Sequence, residues 1–310
     1  MANAYTDTSA LAGLVKTAYD RYVEFALRSQ PLIRSVADKR PAQQSMPGSS
    51  VVFSIYNDLA PVTAALSSES TDPDAVALSD VTTVAVTLAE YGNASLVTRK
   101  LQLFSLSDVD PAVADIIAYN MADSLDKIAM ETLRQGTNVL YGGTRTSTAT
   151  ITASDTLTAA KVRKAVAKLR ANKAVPREGS LYWCGIHPEV SHDLRAETGV
   201  GGWNDMHKYA ETGTGNFWAG SIGTFEGAFF VETPRMYTAT DGAASATVYR
   251  TILAGKQALA EAVAQEPGVV IGPVTDKLLR FRPIGWYGVL GFSLYRQAAL
   301  YRIETGSSIA

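Results

Sequence analysis

From Pro41 to Thr98 the chain carries no Lys or Arg, yet Asp58, Glu69, Asp72, Asp74, Asp80 and Glu90 all fall inside that stretch. Two runs within it, VVFSIYNDL and TTVAVTLAEYG, have the β-branched, partly alternating character of strands. SSESTDPDAVALSD, small and polar, separates them. The pattern predicts a long hairpin with a polar connection. A two-stranded hairpin is marginal in water by itself, and one this long leaves a face that its own domain does not cover. It therefore needs a second surface, and its charge requires that surface to be basic. A solvated acidic loop is the plainer alternative.

The rest of the chain is ordinary globular material. Its 310 residues are 46% hydrophobic and 19% charged, with a formal net charge of -2, which excludes a disordered chain. A protein that grips nucleic acid directly carries a basic excess, because phosphate neutralisation supplies most of the affinity; none is present. One cysteine allows no intrachain disulfide, which points to a reducing compartment. MANAYTDTSALAGLVKTAYD lacks the basic start and apolar run of a signal peptide. No apolar run approaches the about 18 residues of a membrane span.

Leu11, Leu14, Val15, Ala18, Tyr22, Phe25 and Ala26 form a helical stripe that Pro31 limits. SVADKRPAQQSMPGSS then reads as an extended linker, so the chain opens with an arm. DVDPAVADIIAYNMADSLDKIAMETLRQG predicts a helix of about 26 residues, roughly 39 Å long. Asp110 is its candidate cap, Pro111 its first position, and Val113, Ile117, Met121, Leu125 and Ile128 its apolar stripe. Such a helix suits a spine for a sheet. TNVLYGGTRTSTATITAS reads as strand, turn, strand. A second helix follows, with the stripe Val162, Val166 and Leu169 and a basic face of Lys161, Arg163, Lys164, Lys168 and Arg170. SLYWCGI reads as a strand and PEVSHDLRA as a short helix with Pro188 in its first turn. Further strands are GTFEGAFFVETP, ATVYRTILAG and the Gly-interrupted C-terminal set DKLLRFRPIGWYGVLGFSLYRQAALYRIET. Helices and strands alternate irregularly, so the fold class is α+β.

Three features invite a catalytic or metal-binding reading. CGIHPEVSHDLR holds the sole cysteine, Cys184, with His187 and His192, and His207 follows. The two histidines are five apart, about 140° of helical rotation, whereas a chelating pair sits four apart. His187 stands where a strand turns into a helix, the place of a capping group. Ala219-Gly220-Ser221-Ile222-Gly223 imitates a nucleophile elbow, but the sequence after Ser221 is strand-like and every histidine precedes it. Gly285, Gly288 and Gly291 lack the strand–turn–helix setting of a dinucleotide site. No catalytic residue, cofactor or metal site is therefore expected.

The order of elements (arm, acidic hairpin, long spine helix, α+β middle, returning strands) resembles the major capsid protein of tailed bacteriophages, the Hong Kong ninety-seven type fold. LYWCGIHPEVSHDLRAETGVGGWNDMHKYA followed by FWAGSIGTFEGAFFVETP is similar to the coliphage N-four-like subfamily. The resemblance implies an N-terminal arm over 1–47, an extended hairpin loop over 48–98 and a peripheral domain with the spine helix over 99–155. It further implies an axial domain over 156–270 and return strands of the peripheral domain over 271–310. It implies a major capsid protein, not an enzyme, that assembles as hexamers and pentamers into an icosahedral shell. That shell, a virion component put together in the host cytoplasm, encloses double-stranded DNA without sequence-specific binding and with no membrane. The resemblance also implies a separate scaffolding protein and a portal. The type member's loop Lys, which forms a covalent cross-link, has no counterpart in 41–98. Expected inter-subunit contacts are Leu11, Tyr22, Phe25 and Arg34 in the arm and Asp72 and Asp74 in the loop. The loop carboxylates are expected to meet bases drawn from Arg28, Arg34, Lys39, Arg40, Arg280, Arg282, Arg296 and Arg302 of a neighbour. The alternatives are an encapsulin-like nanocompartment shell and a hydrolase using Ser221.

A structural role for the Cys/His segment predicts purified protein without stoichiometric zinc. Metal analysis finding about one zinc per chain would overturn it.

Overall fold

The computed structural model describes residues 28–41, 48–65, 75–78, 80–104, 109–199, 221–274 and 276–309. A 3-10 turn at Ile33–Val36 leads into strand β1 (Ala37–Pro41). Strands β2 (Ser50–Ile55), β3 (Thr82–Thr87) and β4 (Ala89–Thr98) follow, then helices α1 (Arg99–Phe104) and α2 (Val109–Leu133). Strand β5 (Val139–Tyr141) precedes α3 (Ala159–Ala171), β6 (Tyr182–Ile186) and α4 (Pro188–Ala196). The remaining strands are β7 (Ser221–Phe225), β8 (Ala228–Glu232), β9 (Thr238–Ala239), β10 (Val248–Ala254), β11 (Leu259–Ile271), β12 (Phe281–Leu294) and β13 (Leu300–Thr305). Helices and sheets are mixed, as the irregular alternation in sequence requires.

The strands form two main sheets and a separate ribbon. One sheet has the order β1-β11-β12-β4, with β1 parallel to β11 and the other pairs antiparallel. The second has the order β5-β13-β10-β6-β8-β7, with β9 paired on β10. Strands β2 and β3 make the ribbon, in register from Ser50 opposite Thr87 to Ile55 opposite Thr82. The sheets do not follow contiguous blocks of sequence. Strand β13 lies within 271–310 yet pairs with β10 in the second sheet, and β11 leaves β10 to join the first.

The expected spine helix is α2, 25 residues long, or about 38 Å at about 1.5 Å per residue. It starts at Val109, one residue ahead of the expected cap. Ile117 and Leu125, with Val113 and Met121 beside them, pack on Val97, Ile284, Trp286 and Leu290 of the first sheet. Its last turns place Ala129, Met130 and Leu133 against Trp183, Val231 and Ile252 of the second. Asn120, midway along, accepts from Trp286 Nε1 at 3.0 Å and Asn93 Nδ2 at 3.2 Å. One apolar stripe thus joins both sheets. Helices α3 and α4 cover the opposite face of the second sheet: Val162, Val166, Leu169, Val190 and Leu194 meet Tyr182, Cys184, Ile186 and Phe230.

Three sequence expectations change. The expected linker contains β1, which pairs from Ala37 opposite Leu259 to Pro41 opposite Val263. Its polar sequence hid it because backbone hydrogen bonds and ion pairs, not apolar alternation, hold it. The second strand expected after β5 is a 3-10 turn at Thr148–Thr150. GTFEGAFFVETP is two strands, because Glu226 and Gly227 both have positive φ, the geometry of a tight hairpin turn.

A buried carboxylate joins these parts. Asp126 of α2, 1% exposed, accepts the backbone N–H of Ile33 at 2.6 Å and of Arg34 at 2.9 Å. It also accepts from Arg235 Nε at 2.9 Å, and Arg235 donates in turn to Asp123 and, at 2.9 Å, to Ser29 Oγ. Burial alone would lower the Arg235 pKa, but hydrogen bonds to Asp126 and Tyr119 and the charges of Asp123 and Asp126 raise it. Removing one partner of a buried pair strands the other charge. Asp126→Ala is therefore expected to cost about 3 kcal/mol, measured by urea unfolding of the unassembled chain. A loss below about 0.5 kcal/mol, the size of a neutral surface change, would contradict the role given to this carboxylate.

Candidate assembly surfaces

The Cys/His segment resolves into a folding element. Every residue of β6 is buried, and burial raises the Cys184 thiol far above its ordinary value, so no thiolate is available. His187 is the N-cap of α4, its Nδ1 accepting the Glu189 N–H at 3.3 Å, while its ring lies 4.9 Å from that of Tyr249. Burial lowers its pKa against the opposing pull of Glu189 and Glu232, which keeps the imidazole neutral and Nδ1 free to accept. His192 sits beside Asp193, and Asp193 holds the Ser308 N–H at 2.9 Å. His207 lies outside the described residues. No group of three metal-ligating side chains occurs among the described residues. Ser221 opens a strand rather than a helix. A cleft of about 270 Å³ is lined by Ser29, Tyr119, Asp123, Asp126, Lys127 and Arg235. Its carboxylates are already engaged by Arg235 and by Lys127, 3.1 Å from Asp123. It offers a set of matched charges, not a nucleophile with its base.

The surfaces left uncovered are the informative ones. The predicted hairpin is β2–β3, and only its base is anchored. Phe53 and Val86 are buried against Ala260, Ala262 and Tyr295, with the Phe53 and Tyr295 rings 5.6 Å apart. The Leu88 N–H closes the base on the Ser49 carbonyl at 2.9 Å. Beyond it the described side chains stand in the open: Tyr56 is 80%, Val62 85% and Leu78 76% exposed. Of the evenly spaced glycines of β12, Gly291 serves this seat, and Gly288 and Gly285 serve the approach of β11 and β4. A Cβ on Gly291 would run into the Thr87 carbonyl oxygen; one on Gly288 would lie 2.8 Å from Pro267 Cα, and one on Gly285 2.8 Å from Ala94 Cβ. The glycines let neighbouring strands approach closely.

Several bases expected to face a neighbour's loop are engaged within the chain. Arg28 pairs with Asp115 at 2.6 Å, Arg34 with Glu261 at 2.5 Å and Lys39 with Glu266 at 2.6 Å. Arg302 lies 2.8 Å from the buried Glu304, and Arg280 pairs with Asp276 at 2.6 Å. Arg296 packs over the ring of Tyr295. Leu11, Tyr22, Phe25, Asp72 and Asp74 lie outside the described residues. The sequence reading missed Arg99, Lys100 and Lys277, which gather with Arg280 and Arg282 where β4 ends and β12 begins. Thr98 lies opposite Phe281, and the Arg99 N–H donates to the Arg280 carbonyl at 2.8 Å. The signal for Arg99 and Lys100 was their position just after the base-free stretch; Lys277 had none.

Known proteins place this architecture. The family model described as phage capsid protein matches residues 124–298. The chain belongs to the phage capsid protein family. It is a structural protein of the bacteriophage virion, a major capsid protein that forms the head shell. Solved structures share its fold at low identity. The cyanophage Pam1 capsid is 15% identical, with a TM-score of 0.75 over 99% of this chain and 100% of that one. The capsid of Ralstonia phage GP4 is 16% identical, with a TM-score of 0.76 over 95% and 96%. The capsid of Helicobacter pylori bacteriophage KHP30 is 14% identical, with a TM-score of 0.73 over 98% and 99%. No curated protein matches the chain. In this capsid protein the anchored hairpin and the basic sheet end are the exposed features that association can use.

Gly291→Ala is expected to unseat the hairpin base, costing about 1–3 kcal/mol through overpacking. Hydrogen exchange should rise across 50–55 and 82–87 and not in β6. Unchanged protection in the hairpin would show that the close approach is not needed.

Proposed function

We propose that the chain is the principal subunit of an icosahedral shell with the Hong Kong ninety-seven type organisation, closing around double-stranded DNA as hexamers and pentamers. The observation that carries the reading is the hairpin: apolar and acidic outside its base, and left uncovered by the described residues of its own chain. Such a segment is stable only against another subunit. A net charge of -2 fits a container, which confines DNA by a closed wall rather than by salt-sensitive phosphate contacts.

Within this reading the extended loop is residues 48–88, shorter than the 48–98 expected from sequence because β4 (Ala89–Thr98) pairs with β12 of the first sheet. The peripheral domain comprises α2 with β1, β4, β11 and β12, and the axial domain is the second sheet with α3 and α4. The assembly arm is residues 1–27, with Leu11, Tyr22 and Phe25 on its subunit-facing stripe, since the chain from Arg28 to Pro41 is tied to its own body. Asp72 and Asp74 are loop contacts to a neighbour. Arg34 acts by holding the arm's root on Glu261. A separate scaffolding protein and a portal complete the head, assembly takes place in the host cytoplasm, and the subunit performs no catalysis. The N-four-like likeness of the 181–234 segment is the subfamily proposal.

Electron microscopy of purified particles tests the reading: DNA-filled heads are expected, whereas small cargo-filled shells or persistent monomers with esterase activity would refute it. Deleting residues 1–27 should leave a folded chain that no longer closes shells. Normal shells from the truncated chain would remove the arm from assembly.

A further inference from the structure

We propose that His187 is an acid switch for helix α4: when its ring takes up a proton the helix loses its cap, and the C-terminal segment and the start of α3, both held by α4, loosen with it. The switch belongs to the folded chain itself, assembled or not.

His187 joins β6 to α4 in extended backbone, with φ -77° and ψ 145°, and Pro188 follows in the first helical turn. Its Nδ1 accepts the Glu189 N–H at 3.3 Å, which works only while Nδ1 keeps its lone pair. Protonation puts an N–H there, so two donors face each other. The new charge also sits at the positive end of the helix dipole. The ring is half-buried, 4.9 Å from that of Tyr249 on β10. Two carboxylates face it, Glu189 from α4 and Glu232 from the end of β8, and both favour the charged form. Each is already engaged: Glu189 by the Tyr249 hydroxyl, Glu232 by Ser191 Oγ at 2.8 Å with Arg195 3.7 Å away. Burial outweighs their pull and holds the imidazole pKa below its ordinary value.

Helix α4 fixes two other segments. Asp193 accepts the Ser308 N–H at 2.9 Å and the Ser308 hydroxyl, and the Glu189 carbonyl accepts from Ser307 Oγ at 3.3 Å. Just past the helix, Glu197 accepts the N–H of Ala159, the first residue of α3, at 2.8 Å. The unfolded chain takes its His187 proton near pH 6.5 and the folded chain only at lower pH. Stability from the neutral ring is therefore full above about pH 6.5 and falls as pH drops below it. Asp193 behaves differently. Burial pushes its carboxyl up, but the hydrogen bonds from Ser308 outweigh burial and hold it below the ordinary carboxylate range. Its contribution is lost only below about pH 4. The histidine thus responds to mild acid while the contacts that α4 makes through Asp193 are still charged.

Hydrogen exchange of the full chain at about pH 7.5 and about pH 5.5, corrected for intrinsic exchange rates, tests the switch. Protection across 189–196 should fall about fivefold at the lower pH, the effect of a lost cap, and protection at 306–309 should fall with it. Strand β6 should not change. His187→Asn keeps a capping side chain that does not titrate, so it should hold the higher protection at both pH values, and His192→Gln should leave the response in place. If His187→Asn fails to fold, a second measurement decides: NMR titration of the His187 ring in a chain whose other two histidines are replaced by Gln. A midpoint below about 6.5 is expected, and one above it overturns the proposal. Equal protection at the two pH values, or a fall shared equally by β6, overturns it as well. So does a response that persists in folded His187→Asn or disappears in His192→Gln.

Discussion

Much of this subunit depends on one carboxylate placed where water does not reach. Asp126 sits on the face of the spine helix that meets the 3-10 turn at Ile33–Val36 and the turn after β8, and it accepts from both. Two backbone donors and a guanidinium compensate for its desolvation, which an isolated buried carboxylate could not survive as an anion. Three segments more than 90 residues apart thus share one charge, so none of them moves alone. The segment entering β1 is held at a defined point, and both sheets are held to one helix.

This stiffness gives the exposed hairpin its meaning. The base is seated by Phe53 and Val86 and by the close approach at Gly291, while Tyr56, Val62, Val76 and Leu78 beyond it are exposed. A rigid body with an uncovered apolar limb gains by association, at about 25 cal/mol for each Å² of apolar surface removed from water. Exposed ion pairs add only about 0–1 kcal/mol each. By these magnitudes apolar burial outweighs exposed charge in any contact such a limb could make. A closed shell repeats the contact many times, so a modest energy per contact suffices.

The elements that sequence made legible share a physical cause. Helices α2, α3 and α4 and strand β6 have apolar periodicity matched to one local environment, and the hairpin has strand chemistry on both sides of a polar gap. His187 was legible as a cap because a strand running into Pro188 leaves the helix's first N–H groups in need of an acceptor. Strand β1 was hidden, since ADKRP has no alternation and is held by pairing with β11 and by Lys39–Glu266. The length of β11 was hidden by Gln265 to Gly268, where the register shifts interrupt its pattern. The glycines of β12 stood out in sequence, but their use was not visible until Thr87, Pro267 and Ala94 were placed beside them.

Sequence alone determined the segregation of charge: a long acidic, base-free stretch between two strand-like runs. Only the tertiary structure decided which bases are engaged within the chain. Arg34 and Lys39 lie 227 positions from Glu261 and Glu266, yet are bonded to them, while Arg99 and Lys277, remote in sequence, stand at one exposed corner. Charge composition is a property of the chain, but ion pairing falls off within a few ångströms. Whether a given base is engaged or available is therefore set by which distant residues the fold brings to its side.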